Sequence, residues 1–227
     1  MRRILRPAFL ATLPVMAGYL ILGFGFGIIM NANDYSISLT AAMSVLIYAG
    51  SMQYMAIGLM TGGASLITTA LTTLMVNLRH LFYGISMLDQ YRDAGRQKPY
   101  LIFALTDETY SLVCTDLPEI APEYRTHYRF LVSLFNHLYW IFGSVAGAVA
   151  GSLIQFNSQG IDFALTALFL TVFTEQRLSA EKHGPALTGI AASVVSLLIF
   201  GKENFLIPAM LIIALTLCLY KEDNGHE

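Results

Sequence analysis

The sequence predicts an all-α, polytopic membrane protein with about six full transmembrane helices and two re-entrant or broken elements; seven or eight plain helices are the alternative. Three observations lead there. Of 227 residues, 56% are hydrophobic and only 12% are Asp, Glu, Lys or Arg. That is about half the charged share of a soluble domain, too little for a water-facing shell. Uncharged runs of 27 residues between Arg6 and Asp34, 44 from Tyr35 to Leu78 and 32 from Phe130 to Ile161 exceed the ~20 residues that cross a bilayer core. The apolar segments are also apolar on all sides, which suits spanning helices and not the alternating ~10-residue strands of a barrel.

The first element, 8–30, follows Arg2, Arg3 and Arg6. It is too long for a secretory signal and lacks a small-residue cleavage site, so it reads as an uncleaved first helix. The second, 37–60, is interrupted by Ala49-Gly50-Ser51-Met52-Gln53. The third, 64–88, carries Asn77-Leu78-Arg79-His80-Leu81-Phe82-Tyr83-Gly84. The fourth, 99–115, holds Leu105-Thr106-Asp107-Glu108-Thr109-Tyr110 and is too polar for lipid exposure. Gly143, Gly147 and Gly151 line one face of the fifth, 130–154, where another helix can approach closely. Gly23, Gly25 and Gly27, spaced by two, do not share a face and suggest a loosened or closely packed end of the first helix. Segments 161–178, 184–201 and 204–220 complete the series. Connections at 31–36, 61–63 and 201–204 are short, so residues 1–227 read as one integral-membrane domain.

Basic residues in short loops stay on the cytoplasmic side. If all eight elements crossed, Arg92, Arg96 and Lys98 would face the side opposite Arg2, Arg3 and Arg6. The conflict disappears if one element between 37 and 88, and the short 99–115 element, enter and leave on one face. Both termini are then cytoplasmic, and irregular backbone at depth must be lined by protein or a wet cavity. No basic footprint for nucleic acid exists, and Cys114 and Cys218 have neither paired spacing nor His neighbours for a metal, so packing is their role. No metal site or cofactor motif is read.

Ionisable groups at membrane depth are costly and mark substrate or ion paths. Arg79 is deep enough to need a partner, unless it snorkels toward the Arg92 side. Asn77, His80 and Gly84 share a helical face, and Arg79 lies one turn from Tyr83. Asp107 and Glu108 diverge by ~100° on a helix, so one can face Arg79 while the other faces solvent or a cation; ordinary solvated loop acids are the alternative. A helix starting at Gly50 would offer free N–H groups beside Ser51 and Gln53 to an anion. Asn136 and His137 either join the cavity or bond a neighbouring helix. A guanidinium, carboxylates and a helix end together complement a zwitterion such as an amino acid. Its carboxylate would meet Ser51, Gln53, Asn77, Arg79 and Tyr83; its ammonium or a coupling proton would meet His80, Asp107 or Glu108.

Pro14, Gly18, Gly23-Phe24-Gly25, Ala49-Gly50-Ser51-Met52-Gln53, the Asn77–Tyr83 motif and Leu105-Thr106-Asp107-Glu108, in this order and spacing, resemble the AzlC family, the large subunit of two-component branched-chain amino-acid exporters. The resemblance is strongest over 10–115. It implies export of valine, leucine, isoleucine and sometimes methionine across the bacterial cytoplasmic membrane, with a small membrane partner of the AzlD type. No Gly-x4-Gly-Lys-Ser/Thr loop for a nucleotide is present, so the expectation is coupling to an ion gradient, protons first. A membrane-embedded enzyme lacks its nucleophile elbow or zinc motif. A structural or assembly subunit, with polar residues that only hold a partner, is the remaining alternative.

Overall fold

The computed structural model describes residues 2–114, 120–153 and 184–205, with isolated positions at 170, 174, 177, 208–209, 211–213 and 215–216. Among the described residues every regular element is a helix: α1 (Arg2–Ala32), α2 (Ile37–Leu46), α3 (Gly50–Thr61), α4 (Leu66–Ser86), α5 (Lys98–Phe103), α6 (Asp107–Val113), α7 (Arg125–Leu153) and α8 (Gly184–Asn204), with single 3-10 turns at Gly95–Gln97 and Pro122–Tyr124. The chain divides into two compact units, Met1–Ile161 and Asp162–Glu227.

Local chemistry sets the ends of these helices. Ser36, Ser65 and Thr106 sit in extended backbone and accept from the N–H three residues on, at 3.2, 3.1 and 3.3 Å, which satisfies one of the orphan donors of α2, α4 and α6. The α3 helix ends where Gly62 N–H reaches Gly58 O at 2.9 Å, and Gly63 then takes a left-handed φ of 63°. In the second unit, Gly201 has φ 72° and divides α8 near its end, where the sequence expected a connection.

The expected interruptions are present. Leu46 ends α2 and Gly50 begins α3; Phe103 ends α5 and Asp107 begins α6. The α2–α3 break turns on Tyr48, a non-glycine residue at φ 45°. Of the six full crossings expected, two described helices have both the length and apolarity to span a bilayer. They are Ile4–Ala32, with a mean hydropathy of 2.0, and Pro122–Leu153, at 1.3. The 21 residues of α4, at ~1.5 Å each, also match a ~30 Å core, but Asn77, Arg79 and His80 lower its apolarity. The segments 161–178 and 204–220 lie largely outside the described residues.

The spine of the first unit is the α1–α7 pair. A β-carbon at Gly27 or Gly147 would overlap the facing backbone of Ser144 or Phe24, and one at Gly23 or Gly143 would come within 3.0 Å of backbone on the opposite helix. The reading of the first glycine set needs correcting. Gly23 and Gly27 are four apart and do share a face, turned to α7, while Gly25 faces Tyr54. Polar contacts extend the seam: the Thr12 and Tyr139 hydroxyls meet at 3.2 Å.

At the end of the unit holding the first turn of α1, Ile4, Ala8, Met87, Tyr91, Leu101 and Val132 form a buried cluster. Arg125 Nε donates to Ile120 O at 3.1 Å, in the segment leading into α7, and Arg129 to Gln90 O at 3.3 Å, anchoring the start of α7 to the connection after α4. In that connection burial pushes the Tyr91 phenol up to about 12, against the opposing pull of Arg129.

Candidate functional site

The two helix breaks project polar side chains toward each other and toward α4. As the second residue of α3, Ser51 is half-buried; two-thirds of the way along α4, so is Arg79. Asp107 opens α6 because Thr106 caps it, and a carboxylate in a first helical turn is favoured by the helix dipole. These three meet. Arg79 Nη1 pairs with Asp107 Oδ2 at 2.5 Å, and Nη2 donates to Ser51 Oγ at 2.9 Å. Arg79 is therefore paired, as its place in an apolar run required.

The pair leaves capacity unused. Arg79 Nε, Asp107 Oδ1 and Asn77 Oδ1 are buried without a hydrogen-bond partner. A guanidinium and a carboxylate can bond through two parallel N–H···O contacts, whereas this pair forms one and retains a free donor and free acceptors. A half-exposed ion pair contributes little to stability. Tyr83 borders the site: its ring stacks on Tyr110 at 4.5 Å and its edge meets His80 at 5.9 Å.

Glu108 turns away from Arg79, as a ~100° step requires, and is half-buried. The Tyr19 hydroxyl of α1 donates to Glu108 Oε2 at 2.6 Å and touches Thr106 Oγ1 at 2.7 Å. Gln53 is also separate from the Arg79 site. It is fully buried, accepts from Trp140 Nε1 at 2.9 Å and reaches Ser44 at 3.4 Å, so its side chain ties α3 to α2 and α7. Asn136 and His137 bond neighbouring helices: Asn136 donates to Thr109 Oγ1 at 3.0 Å, and His137 contacts Tyr100 OH at 3.0 Å and Ser44 O at 3.2 Å.

Of the residues singled out from sequence, the structure joins Ser51, Arg79 and Asp107 by direct contacts, stacks Tyr83 on Tyr110 of α6 with His80 at its edge, leaves Asn77 Oδ1 unpartnered one turn or less from Arg79 on α4, places Glu108 on an adjoining network, and puts Gln53 in helix packing. Four members of the surroundings were not singled out: Tyr19, Tyr48, Thr109 and Trp140. Tyr19 and Tyr48 are polar tips inside otherwise apolar runs, and that is the signal that was present. Among the described residues no cluster of three or more His, Cys, Asp or Glu able to hold a metal ion occurs.

The comparisons agree with this architecture. The sequence profile described as AzlC protein matches residues 14–154, from α1 through the end of α7. The chain is 46% identical over 209 residues to the "Branched-chain amino acid transport protein AzlC" of Bacillus subtilis, covering 92% of this chain and 82% of that one. It is 39% identical over 217 residues to an "Uncharacterized membrane protein" of Helicobacter pylori strain J99, covering 96% and 95%, and 25% identical over 203 residues to "Inner membrane protein YgaZ" of Escherichia coli, covering 88% and 82%. No solved structure matches the chain. The profile covers well over half the residues, including both helix breaks and the Arg79–Asp107 pair, and the chain belongs to the AzlC family.

Proposed function

We propose that this protein is the large subunit of a secondary transporter that exports branched-chain amino acids across the bacterial cytoplasmic membrane, coupled to the proton gradient. Valine, leucine and isoleucine are the substrates, with methionine a further candidate, and a small AzlD-type membrane protein is the partner. The observation that carries this reading is the Arg79–Asp107 pair beside Ser51, where two broken helices meet. An amino acid presents the same two charges in one molecule. Its carboxylate takes the place of Asp107 on Arg79, with Ser51 and the opening amides of α3 adding donors. Its ammonium takes the place of Arg79 on Asp107. Because the pair is half-exposed and contributes little to stability, exchanging its partners for those of a ligand costs little.

The family name of the Bacillus subtilis relative supports the substrate class. Its apolar side chain would rest against the surrounding Leu, Ile and aromatic surface. Such a pocket separates ligands differing by a methylene by only ~1–3 kcal/mol, so overlapping use of the three branched residues is expected.

The test loads cells with labelled valine or a valine dipeptide and follows efflux, with the small subunit co-expressed and omitted. Faster efflux that requires this chain, and that Arg79→Ala removes at normal abundance, supports the reading. Equal efflux with and without the chain overturns it in favour of an assembly role.

A further inference from the structure

Two side chains of α7 reach both sides of the α2–α3 break, and the transport reading assigns them no part. His137 and Trp140 stand about one turn apart and are exposed by only 7 and 3%. The break itself has little local support. Ala49, which precedes α3, has no side chain to cap it, whereas α2, α4 and α6 begin on Ser36, Ser65 and Thr106. Tyr48 holds a left-handed φ of 45°, in which a β-carbon crowds the following carbonyl oxygen. At the end of α2 the Tyr48 N–H, which an unbroken helix would send to Ser44 O, goes to Met43 O at 3.3 Å instead. Ser44 O thereby loses its helical partner.

The two α7 side chains supply what the break lacks. His137 Nε2 lies 3.2 Å from Ser44 O. A carbonyl only accepts, so Nε2 carries the proton, and in the neutral ring Nδ1 accepts from the Tyr100 hydroxyl at 3.0 Å. The same ring stacks on Tyr48 at 4.2 Å, with Phe103 packed against both. One turn on, Trp140 Nε1 donates to Gln53 Oε1 at 2.9 Å, and Nε2 of that amide donates to Ser44 Oγ at 3.4 Å. Gln53 and Ser44 are fully buried. The Trp140 ring also bounds the first residue of α3, because a β-carbon at Gly50 would come within 3.1 Å of its Cη2. The last turn of α2, the turning residue and the first turn of α3 are thus all held from α7, which is itself fixed by backbone contact with α1. Ser51 lies between Gly50 and Gln53 and bonds Arg79.

We propose that His137 and Trp140 are positioning residues for the substrate site: they clamp the α2–α3 break to α7 and so set Ser51 opposite Arg79. The proposal rests on the transport reading and adds to it the residues that fix the geometry of the site. Hydrogen bonds have direction, so the Trp140–Gln53 bond fixes the rotation of α3 about its axis as well as its distance from α7. Gln53 and Ser51 point about 200° apart on that helix; holding the one inward aims the other outward, at the guanidinium. His137 does the same for the other side of the break, where its ring keeps Tyr48 in the left-handed turn and its N–H takes up the carbonyl the turn has freed. Without the clamp Tyr48 relaxes, the start of α3 re-aims, and Ser51 withdraws from Arg79.

The test measures exchange of labelled for unlabelled valine by the intact complex in proteoliposomes, over a range of valine concentrations, so that KM and maximal rate separate. His137→Phe keeps a ring against Tyr48 and loses the donor to Ser44; Trp140→Phe keeps an aromatic ring and loses the donor to Gln53. Each should raise KM for valine by about fivefold, the weight of one hydrogen bond, with maximal rate and abundance within about twofold of wild type. His137→Gln, which offers an N–H to Ser44 O again, should bring KM back toward wild type. Gly50→Ala removes no side chain and only presses the start of α3 off the Trp140 ring; it should raise KM in the same direction, and it decides in place of either aromatic variant that fails to assemble. A wild-type KM in these variants, with or without a loss of abundance, would overturn the proposal, since the two residues would then only hold helices together, and the transport reading would stand. Absence of valine exchange in the wild-type complex would remove the transport reading itself, and the positioning role with it.

Discussion

The α1–α7 seam and the meeting of the two helix breaks hold helices together by opposite means. At the seam, glycines at 23, 27, 143 and 147 bring two backbones into contact, and dispersion between close-packed surfaces does the work that the hydrophobic effect cannot do in lipid. At the breaks the regular helices stop over 47–49 and 104–106, and side chains make the contacts between elements: Arg79 with Asp107 and Ser51, Tyr19 with Glu108. The first kind of contact has one good geometry and tolerates no insertion. The second consists of polar groups that can change partners. A transporter needs both, a fixed frame and a site whose bonds exchange.

Substitutions can break or sharpen that contrast. The largest effect is expected at Gly147, where any β-carbon overlaps the Phe24 backbone. Overpacking commonly costs about 1–3 kcal/mol, and backbone that cannot yield puts Gly147→Leu beyond it, so complex should vanish from size-exclusion profiles. Arg79→Ala and Asp107→Asn should do the reverse, leaving abundance within about twofold, since half-exposed pairs contribute about 0–1 kcal/mol, while abolishing valine efflux. Loss of protein in these variants would move the pair from the exchangeable class to the structural one.

Smaller effects grade the seam. A β-carbon at Gly151 meets only the Asn31 side chain, at 3.0 Å. The nearest atom, Asn31 Cβ, is fixed to the α1 backbone, so the helix ends must give by a few tenths of an ångström and Gly151→Ala should lower the melting temperature, by a ΔΔG of about 1 kcal/mol. Gly58 in α3 has nothing within 4 Å. There Gly58→Ala should leave efflux unchanged and raise stability by about 0.5–1 kcal/mol, the helical preference for alanine. A large loss at Gly58 would mean that this face is occupied in the working complex.

Much of this contrast was legible in the sequence, because bilayer physics makes charge conspicuous. Arg79 in an apolar run demanded a carboxylate, and Thr106-Asp107-Glu108 offered two. Gly50 within 37–60 marked a break. The divergence of Asp107 and Glu108 followed from helical geometry, but not what Glu108 would meet, since a tyrosine in an apolar run looks the same whether its hydroxyl is wet or bonded. Tyr48 gave no sign of its left-handed backbone, because a residue held there by tertiary stacking against His137 violates local preference. Gln53 sat in the same motif as Ser51, yet two residues rotate a helical side chain by about 200°, and it entered the packing with Trp140. Counting the glycines of α1 in steps of two hid the four-residue step that builds the seam.

The central claim is that substrate replaces the internal ion pair, and Ser51 reports on it directly because it bonds the same guanidinium. A Ser51→Cys variant of the intact complex in membrane vesicles should react with a small thiol reagent, and valine should slow that reaction in a saturable way while lysine or glutamate does not. If valine leaves the labelling rate unchanged in a variant that still exports it, the substrate does not pass between Arg79 and Asp107, and the account of the site is wrong.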